Sequence, residues 1–99
     1  MTLRIIAEAR EELLEIASYY EDQSEGLGFE FVEAFWVAAG LIATHPEGFR
    51  SFPDGYRRFL MSRFPYGIFY RIKEETIDVA FNVHLHSDPS KWSELLRNR

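Results

Sequence analysis

Polar side chains able to take part in chemistry alternate along the last two strands that the sequence predicts. One face of these strands carries Arg71, Lys73, Asp78, Asn82, His84 and His86. Because side chains alternate between the two faces of a strand, these groups could surround one polar groove. A histidine within reach of an arginine can donate or accept a proton near neutral pH. The competing interpretation is structural: with Glu74-Glu75 as a two-residue turn, Arg71 lies opposite Asp78 and pairs with it.

His84 and His86 also place two imidazoles on one strand face, which is compatible with binding a metal ion. A protein metal site needs at least a third ligand. His45 is distant in the sequence, and only Asp88 is close. We therefore predict no metal and no cofactor, and we expect exposed histidines at the end of a strand.

The first half of the chain supplies the helices that must support this face. Residues 3–6 predict a short strand, and apolar spacings of three, four and seven up to Tyr20 predict an amphipathic helix ending near residues 22–25. Gly26-Leu27-Gly28 ends that helix, and a second one is predicted over residues 29–44. Its predicted buried stripe is Phe31, Ala34, Phe35, Ala38, Leu41 and Ile42. Trp36 points away from the stripe, toward the edge of the core or a partner.

The second half is predicted to be β-structure. A short strand at residues 49–52 comes first, and three strands at residues 57–64, 66–73 and 76–85 then form an antiparallel meander. Strict alternation in the last strand predicts an apolar face of Ile77, Val79, Phe81, Val83 and Leu85. Asp88-Pro89 reads as the start of a short helix to about residue 96, in which Trp92 packs on the sheet. The predicted fold class is α+β: an N-terminal strand, an αα-hairpin packed on a curved antiparallel sheet (β-α-α-β-β-β), and a short C-terminal helix.

Composition restricts the class of protein. The 99 residues fit one domain (1–99), and with no cysteine neither disulfides nor thiolate-bound zinc can hold it together. We expect a cytoplasmic protein, because no apolar stretch approaches a membrane span and the N-terminus lacks a signal-peptide layout. Residues 1–48 carry two cations and ten acids, a balance of −8, whereas residues 49–99 carry nine cations and six acids, a balance of +3. The two halves either serve different partners or are ordinary solvated surface.

Several segments together resemble the RelE/ParE superfamily of toxins from type II toxin–antitoxin systems, and most closely its ParE (plasmid stabilisation) branch. The likeness extends over nearly the whole chain. It rests on a glutamate-rich first helix, a central strand and a characteristic ending. These three segments are Glu11-Glu12-Leu13-Leu14-Glu15-Ile16-Ala17, Phe64-Pro65-Tyr66-Gly67-Ile68-Phe69-Tyr70-Arg71-Ile72 and His84…Asp88-Pro89…Trp92.

The resemblance implies a bacterial growth-inhibiting toxin neutralised by an antitoxin from an adjacent gene, in a hetero-oligomer. ParE members are known as inhibitors of DNA gyrase, whereas the RelE branch cleaves mRNA on the ribosome. Fold alone does not separate these two activities. A third interpretation is a small interaction domain that has lost toxicity.

Two of three RelE-type catalytic positions are altered in this chain. Arg63 lies near the position of one expected arginine, but His86 stands where another is usual and Trp92 where a tyrosine would be. The net charge of −5 also opposes phosphate binding. We therefore favour a binding mechanism over an mRNA endonuclease. If the chain is an enzyme, its candidate catalytic residues are Arg63, Arg71, His84 and His86. The ParE interpretation carries a departure too, because Leu85-His86-Ser87 replaces the arginines common before Asp-Pro.

For the antitoxin we expect an apolar groove between the helical hairpin and the sheet, bordered by the basic second half. The residues predicted to bind the antitoxin or the target are Arg57, Arg58, Arg63, Arg71 and Trp92.

Overall fold

The computed structural model describes the backbone of residues 1–99 and every side chain except those of Lys91 and Trp92. Strands and helices follow the predicted order, which confirms the α+β fold class. A short 3-10 turn, Pro53–Gly55, joins the second strand to the third. In chain order the elements are β1 (Thr2–Ile5), α1 (Ala7–Gln23), α2 (Leu27–Thr44), β2 (Arg50–Ser51), β3 (Tyr56–Leu60), β4 (Tyr66–Lys73), β5 (Thr76–His84) and α3 (Pro89–Asn98).

The strands form one sheet in the order β1-β5-β4-β3-β2. Strands β3 to β5 make the predicted antiparallel meander and β2 extends it by one short strand, whereas β1 runs parallel to β5, with Leu3 opposite Ile77. Parallel neighbours need a long crossover connection, which the helices between β1 and the rest of the sheet supply. The sheet is therefore mixed at its β1 edge.

The turn between α1 and α2 is held by one carboxylate. Glu21, near the end of α1, accepts hydrogen bonds from the backbone N–H groups of Gly26 and Gly28 at 2.9 and 3.0 Å. Those N–H groups have no partner inside α2, and a negative charge is favourable at a helix N-terminus. A Cβ at Gly28 would collide with the carbonyl oxygen of Ala17. Glycine at this position lets the two helices approach closely.

The α1–α2 hairpin covers one face of the sheet and forms the larger core. Aromatic rings meet at its centre: Phe31 contacts Phe64 edge to face at 5.1 Å, and Tyr20 lies 5.0 Å from Phe64 between ring centroids. Ile68 and Tyr70 of β4 are fully buried beneath the helices. Burying each such side chain contributes roughly 1.5–3 kcal/mol, so this core is the main stabilising element of the fold.

A β-bulge in β5 overturns the predicted alternation of that strand. Phe69 pairs with Phe81 but Tyr70 pairs with Val79, so Ala80 is an extra residue. An extra residue reverses the direction of every side chain beyond it. Ile77 and Val79 consequently join the hairpin core, whereas the continuation of the strand turns its apolar residues to the opposite face. The predicted common face of Ile77, Val79, Phe81, Val83 and Leu85 is therefore wrong.

The opposite face of the sheet carries a second, smaller core under α3. It consists of Tyr56, Phe69, Ala80, Phe81 and Val83, with Leu95 and Leu96 of α3 packed against them. The rings of Phe69 and Phe81 stack at 4.6 Å between centroids. Asp88 caps α3 as predicted, because its carboxylate accepts the N–H of Ser90 at 2.9 Å. The predicted packing of Trp92 concerns a side chain that lies outside the described ones.

The α2 helix is, among the described residues, the one helix long and apolar enough to meet the length and composition criteria for crossing a membrane. This corrects the expectation that no apolar stretch approaches such a length. Phe31, Phe35 and Ile42 are fully buried in the hairpin core, which accounts for part of its apolar composition. Leu41, predicted to be buried with them, is 46% exposed because it lies beside a groove rather than under the sheet.

Candidate functional site

Arginines of the second half gather at the β2–β3 edge of the sheet. β2 contributes Arg50, β3 contributes Arg57 and Arg58, and the loop after β3 contributes Arg63. Neighbouring strand β4 adds Arg71, which pairs in register with Tyr56. We call Arg50, Arg57, Arg58 and Arg63 the basic edge. Four of the nine cations of the second half therefore lie at one border of the sheet, opposite β1.

An apolar groove of about 260 Å³ separates α2 from β3, at the predicted place. Its walls are Ala34, Val37, Ala38, Leu41, Phe59, Met61, Ser62 and Arg63. Arg63 borders the groove, and its guanidinium donates to the carboxylate of Glu30 at 2.9 Å. Both of these side chains are about half exposed, so the ion pair is readily exchanged for another partner. We call this feature the hairpin groove.

The hydrogen-bond donors of Arg57 are used within the chain. Its guanidinium donates to the carbonyl oxygens of Glu47 and Phe49 at 3.1 and 2.8 Å. The Tyr70 hydroxyl donates to the carbonyl of Pro46, which precedes Glu47 in the same loop, at 2.6 Å. Burial raises the pKa of Tyr70. Together these bonds hold the loop between α2 and β2 against the sheet.

Arg58 and Arg50 enclose an aromatic ring between two positive charges. Their guanidinium carbons lie 5.1 and 4.8 Å from the ring centroid of Phe52, within the range of a cation–π contact. Burial lowers the pKa of Arg58, and the charge of Arg50 lowers it further. The Nε atom of Arg58 is buried and, within the described part of the chain, has no hydrogen-bond partner. We call Arg50, Phe52 and Arg58 the arginine–aromatic cluster.

Gly67 of β4 makes room for Arg58. A Cβ at Gly67 would lie 3.3 Å from the aliphatic stem of Arg58 and 3.4 Å from Leu85. Arg58 can therefore lie flat across the sheet toward a second groove, of about 240 Å³, beside the start of α3. This groove is lined by Arg58, Phe69, Val83, His84, Leu85, Ser87 and Pro89.

Arg71 lies apart from both grooves. Its guanidinium covers the ring of Tyr56 at 4.9 Å and reaches the backbone carbonyl oxygen of Arg99 at 3.4 Å. The hydroxyl of Tyr56 and the Nε atom of Arg71 are buried and lack a hydrogen-bond partner among the residues described. The far face of the sheet therefore holds unsatisfied donors on Tyr56, Arg58 and Arg71.

The predicted pairing of Arg71 with Asp78 is wrong, although the backbone register behind it is confirmed. Glu74-Glu75 is the two-residue turn and Arg71 does lie opposite Asp78. The carboxylate of Asp78 instead accepts two hydrogen bonds from Arg4, its neighbour across the parallel strand pair, at 2.7 and 3.2 Å. The hydrogen bonds and charge of Arg4 hold the pKa of Asp78 below its ordinary value.

The histidines do not join Arg71 in a polar groove as predicted. Beyond the bulge, Asn82 turns to the hairpin and donates to the carbonyl oxygen of Ala9 at 3.3 Å. His84 packs edge to face on Tyr66 at 5.1 Å, and its Nδ1 accepts the backbone N–H of His86 at 3.1 Å. The His86 side chain is exposed. His84 and Arg58 both line the second groove, the one beside the start of α3. The sequence did not predict these two residues to be neighbours.

The possible metal ligands of the described residues do not form a cluster. No three His, Asp or Glu side chains come together among those that the structure describes. Trp92, predicted as a binding residue, has a side chain that is not described.

Sequence reasoning missed Arg50, Phe52 and Tyr56. Arg50 and Arg58 face each other across the β2–β3 ladder. A signal for this was present, because two arginines flank the Pro53-Asp54-Gly55 turn at nearly equal distances. Treating that turn as a hairpin would have paired them.

Comparisons with known proteins agree with this geometry. Residues 3–88 match the family model described as the ParE toxin of the type II toxin–antitoxin system parDE. A solved structure, described as the chromosomal ParDE TA system from P. aeruginosa, superimposes with a TM-score of 0.65 over 87% of this chain and 97% of that chain, at 17% sequence identity. At that identity the likeness shows a common fold. A search of curated proteins found no match.

Proposed function

The chain belongs to the ParE toxin family of type II toxin–antitoxin systems, and from that membership we propose that it is a cytoplasmic toxin that acts by binding a cellular target. An antitoxin from an adjacent gene binds it and blocks this activity. The observation that carries the proposal is the basic edge, on which Arg63 borders the hairpin groove and Arg58 belongs to the arginine–aromatic cluster on the other face of the sheet. Such a surface recognises a partner that brings carboxylates together with apolar side chains.

The antitoxin segment we propose is acidic and partly apolar. Its apolar side chains occupy the hairpin groove, and a carboxylate takes Glu30's place on Arg63. A second carboxylate binds Arg58, whose guanidinium is partly desolvated and carries an unsatisfied Nε. Desolvated charges interact more strongly than solvated ones, so Arg58 contributes more to this binding than Arg63. Arg57 supports the surface from below, because its donors already serve loop carbonyls.

Co-expression with the adjacent small open reading frame tests the antitoxin part. We expect a complex that co-purifies, and growth inhibition when the chain is induced alone. Arg58→Glu and Arg63→Glu should weaken the complex, and Arg97→Glu, an exposed charge on the last turn of α3, is the matched control. A complex equally stable in all variants would contradict this assignment of the surface.

DNA gyrase is the target that we propose from the family resemblance. A supercoiling assay with purified toxin checks it directly. We expect inhibition at micromolar toxin, relief by the antitoxin, and loss of inhibition in Arg58→Glu. Normal supercoiling at that concentration would exclude gyrase while leaving the antitoxin proposal intact.

One observation favours mRNA cleavage as a second candidate. Arg58 and His84 line the same small groove, so a cation and an imidazole lie together. The Nδ1 of His84 is engaged by the backbone of His86, which leaves Nε2 as its free nitrogen. Primer extension on cellular mRNA after induction distinguishes the two. Discrete cuts that disappear in His84→Ala would support cleavage, and an unchanged mRNA pattern would reject it.

A further inference from the structure

The outer side of α2 presents an apolar ridge to solvent. Phe29, Val32, Trp36 and Gly40 are spaced by three, four and four residues, which places them on one face of a helix. Phe29 is 67% exposed and Trp36 is 54% exposed. We call these four residues the α2 ridge. It lies on the α1 side of α2, where Val32 and Trp36 line a depression together with Leu14, and it is distinct from the hairpin groove and from the arginine–aromatic cluster.

No contact within the chain requires a glycine at position 40. A Cβ built on it meets nothing within 4 Å, in contrast to Gly28, whose Cβ would collide with the Ala17 carbonyl. Glycine in a helix interior is destabilising relative to alanine. The open space at Gly40 therefore points to a group from outside the chain that packs closely on the helix backbone.

The ridge is complementary to itself. Trp36 projects one helical turn before Gly40, so a bulky side chain and an open space occupy neighbouring positions on one face. A two-fold axis level with residue 38 would run two α2 helices antiparallel and place each Trp36 on the Gly40 of the other copy. Two-fold interfaces have this reciprocal form, in which residue i contacts j and j contacts i.

Charge permits this arrangement. Glu33 lies four residues after Phe29 and three before Trp36, on the same helix face, and the two-fold axis would set it level with residue 43 of the other copy. The two Glu33 carboxylates would then be separated by about 15 Å along the helix axis, from 1.5 Å per residue. This exceeds the screening length of roughly 8 Å at physiological salt.

The area is sufficient for a weak dimer. Leu14 of α1 and Val37 flank the ridge and are 61% and 66% exposed. Since a large aromatic side chain buries about 150–250 Å², the ridge and its flanks supply on the order of 500 Å² of apolar surface per copy. Two copies would bury roughly 1,000 Å², the lower end of specific interfaces.

We propose that the α2 ridge is a homodimer interface, in which a second copy of this chain packs antiparallel with Trp36 of each copy on Gly40 of the other. The inference does not depend on the toxin's target. Both hairpins are acidic, so dimerisation strengthens with salt as their long-range repulsion is screened.

Sedimentation velocity of the purified chain from about 1 to 100 µM tests the proposal in the range expected for a small interface. We expect the mass to rise from monomer to dimer with concentration, and more readily at high salt. Gly40→Gln and Trp36→Ser should each raise the dissociation constant at least tenfold. Leu60→Gln, which removes another half-exposed apolar side chain at the sheet edge, is the control and should leave it unchanged.

Thermal unfolding of the dilute monomer separates lost association from lost folding. Gly40→Gln should keep or raise the unfolding midpoint, because its side chain meets no atom of its own chain and favours the helix. A wild-type chain that stays monomeric at 100 µM, or a Gly40→Gln variant that dimerises like the wild type, would overturn the proposal. Loss of the antitoxin complex in Gly40→Gln, with a monomeric wild type, would assign the ridge to the antitoxin instead.

Discussion

Glu12 of α1 and Arg99, which directly follows α3, form an ion pair of 2.6 Å that ties the two sides of the sheet together. The second carboxylate oxygen of Glu12 accepts the backbone N–H of Asn82 at 3.1 Å, and Arg99 also donates to the carbonyl of Ala80 at 3.2 Å. These backbone groups belong to the part of β5 beyond its last pairing with β1. The ion pair therefore satisfies a strand edge that has no neighbouring strand.

Glu12→Ala should destabilise the fold by about 1–3 kcal/mol, because it leaves a strand N–H and a mostly buried guanidinium without their partner. Chemical denaturation measures the change. Glu11→Ala, one position earlier and exposed, is the control and should stay within about 0.5 kcal/mol of the wild type. Equal stability of the two variants would mean that the pair contributes nothing.

Arg57 and Arg58 are adjacent in sequence, yet their substitutions should have opposite effects. Arg57→Gln removes donors to two loop carbonyls and should lower stability by about 1–2 kcal/mol. Arg58→Gln removes a partly desolvated charge with an unsatisfied Nε, so stability should hold or rise.

Denaturation and antitoxin affinity, measured on both variants, check this pair. Arg58→Gln should lose affinity while remaining folded. If Arg57→Gln is the more weakly binding variant at equal stability, the assignment of roles is reversed.

Tyr56→Phe should leave stability unchanged or raise it by up to about 1 kcal/mol. The hydroxyl is buried without a hydrogen-bond partner in the described structure, so its removal ends a desolvation penalty and opens little space. Tyr70→Phe is the matched comparison, because it breaks a 2.6 Å bond to Pro46 and should be destabilising. A destabilised Tyr56→Phe would reveal a partner for that hydroxyl.

The Arg4–Asp78 pair should make stability depend on acid. The pKa of Asp78 is lowered in the folded state, so the stabilisation is present above its unfolded pKa of about 3.9 and is lost as the pH falls through the lower folded value. Unfolding midpoints of wild type and Asp78→Asn should differ at pH 6 and converge at pH 2–3. If the two unfolding midpoints differ by the same amount at every pH, the charge of Asp78 is not what stabilises the fold.

Local periodicity predicted the helices and β4 correctly because those signals lie within one element. The predicted strand of residues 57–64 is shorter, ending at Leu60, since the N–H of Met61 donates to the carbonyl of Tyr66 and closes a loop that contains Pro65. The bulge at Ala80 has no sequence signal, because the residues on either side of it are equally apolar. One missed residue then misplaced Asn82 and His84.

The candidate site could be predicted only in its composition. The basic second half and the apolar groove follow from charge and patterning, and both are present. Which arginine can bind a partner depends on contacts between residues that are distant in the sequence. Arg57 donates to the carbonyls of Glu47 and Phe49, and the carboxylate of Asp78 pairs with Arg4 of β1 rather than with Arg71. The parallel pairing of β1 with β5, which brings Arg4 to Asp78, is visible only in three dimensions.

The bulge at Ala80 also determines how this strand tolerates changes in length. Deleting Ala80 would restore regular alternation and leave Phe81 opposite Phe69 and Asn82 opposite Ile68, because Ala80 is the residue in excess. Phe81 and Val83 would therefore stay in the core on which Leu95 and Leu96 pack. At this one position of β5 the loss of a residue keeps the contents of both cores, whereas a larger side chain at Ala80 would have to fit into the core under α3.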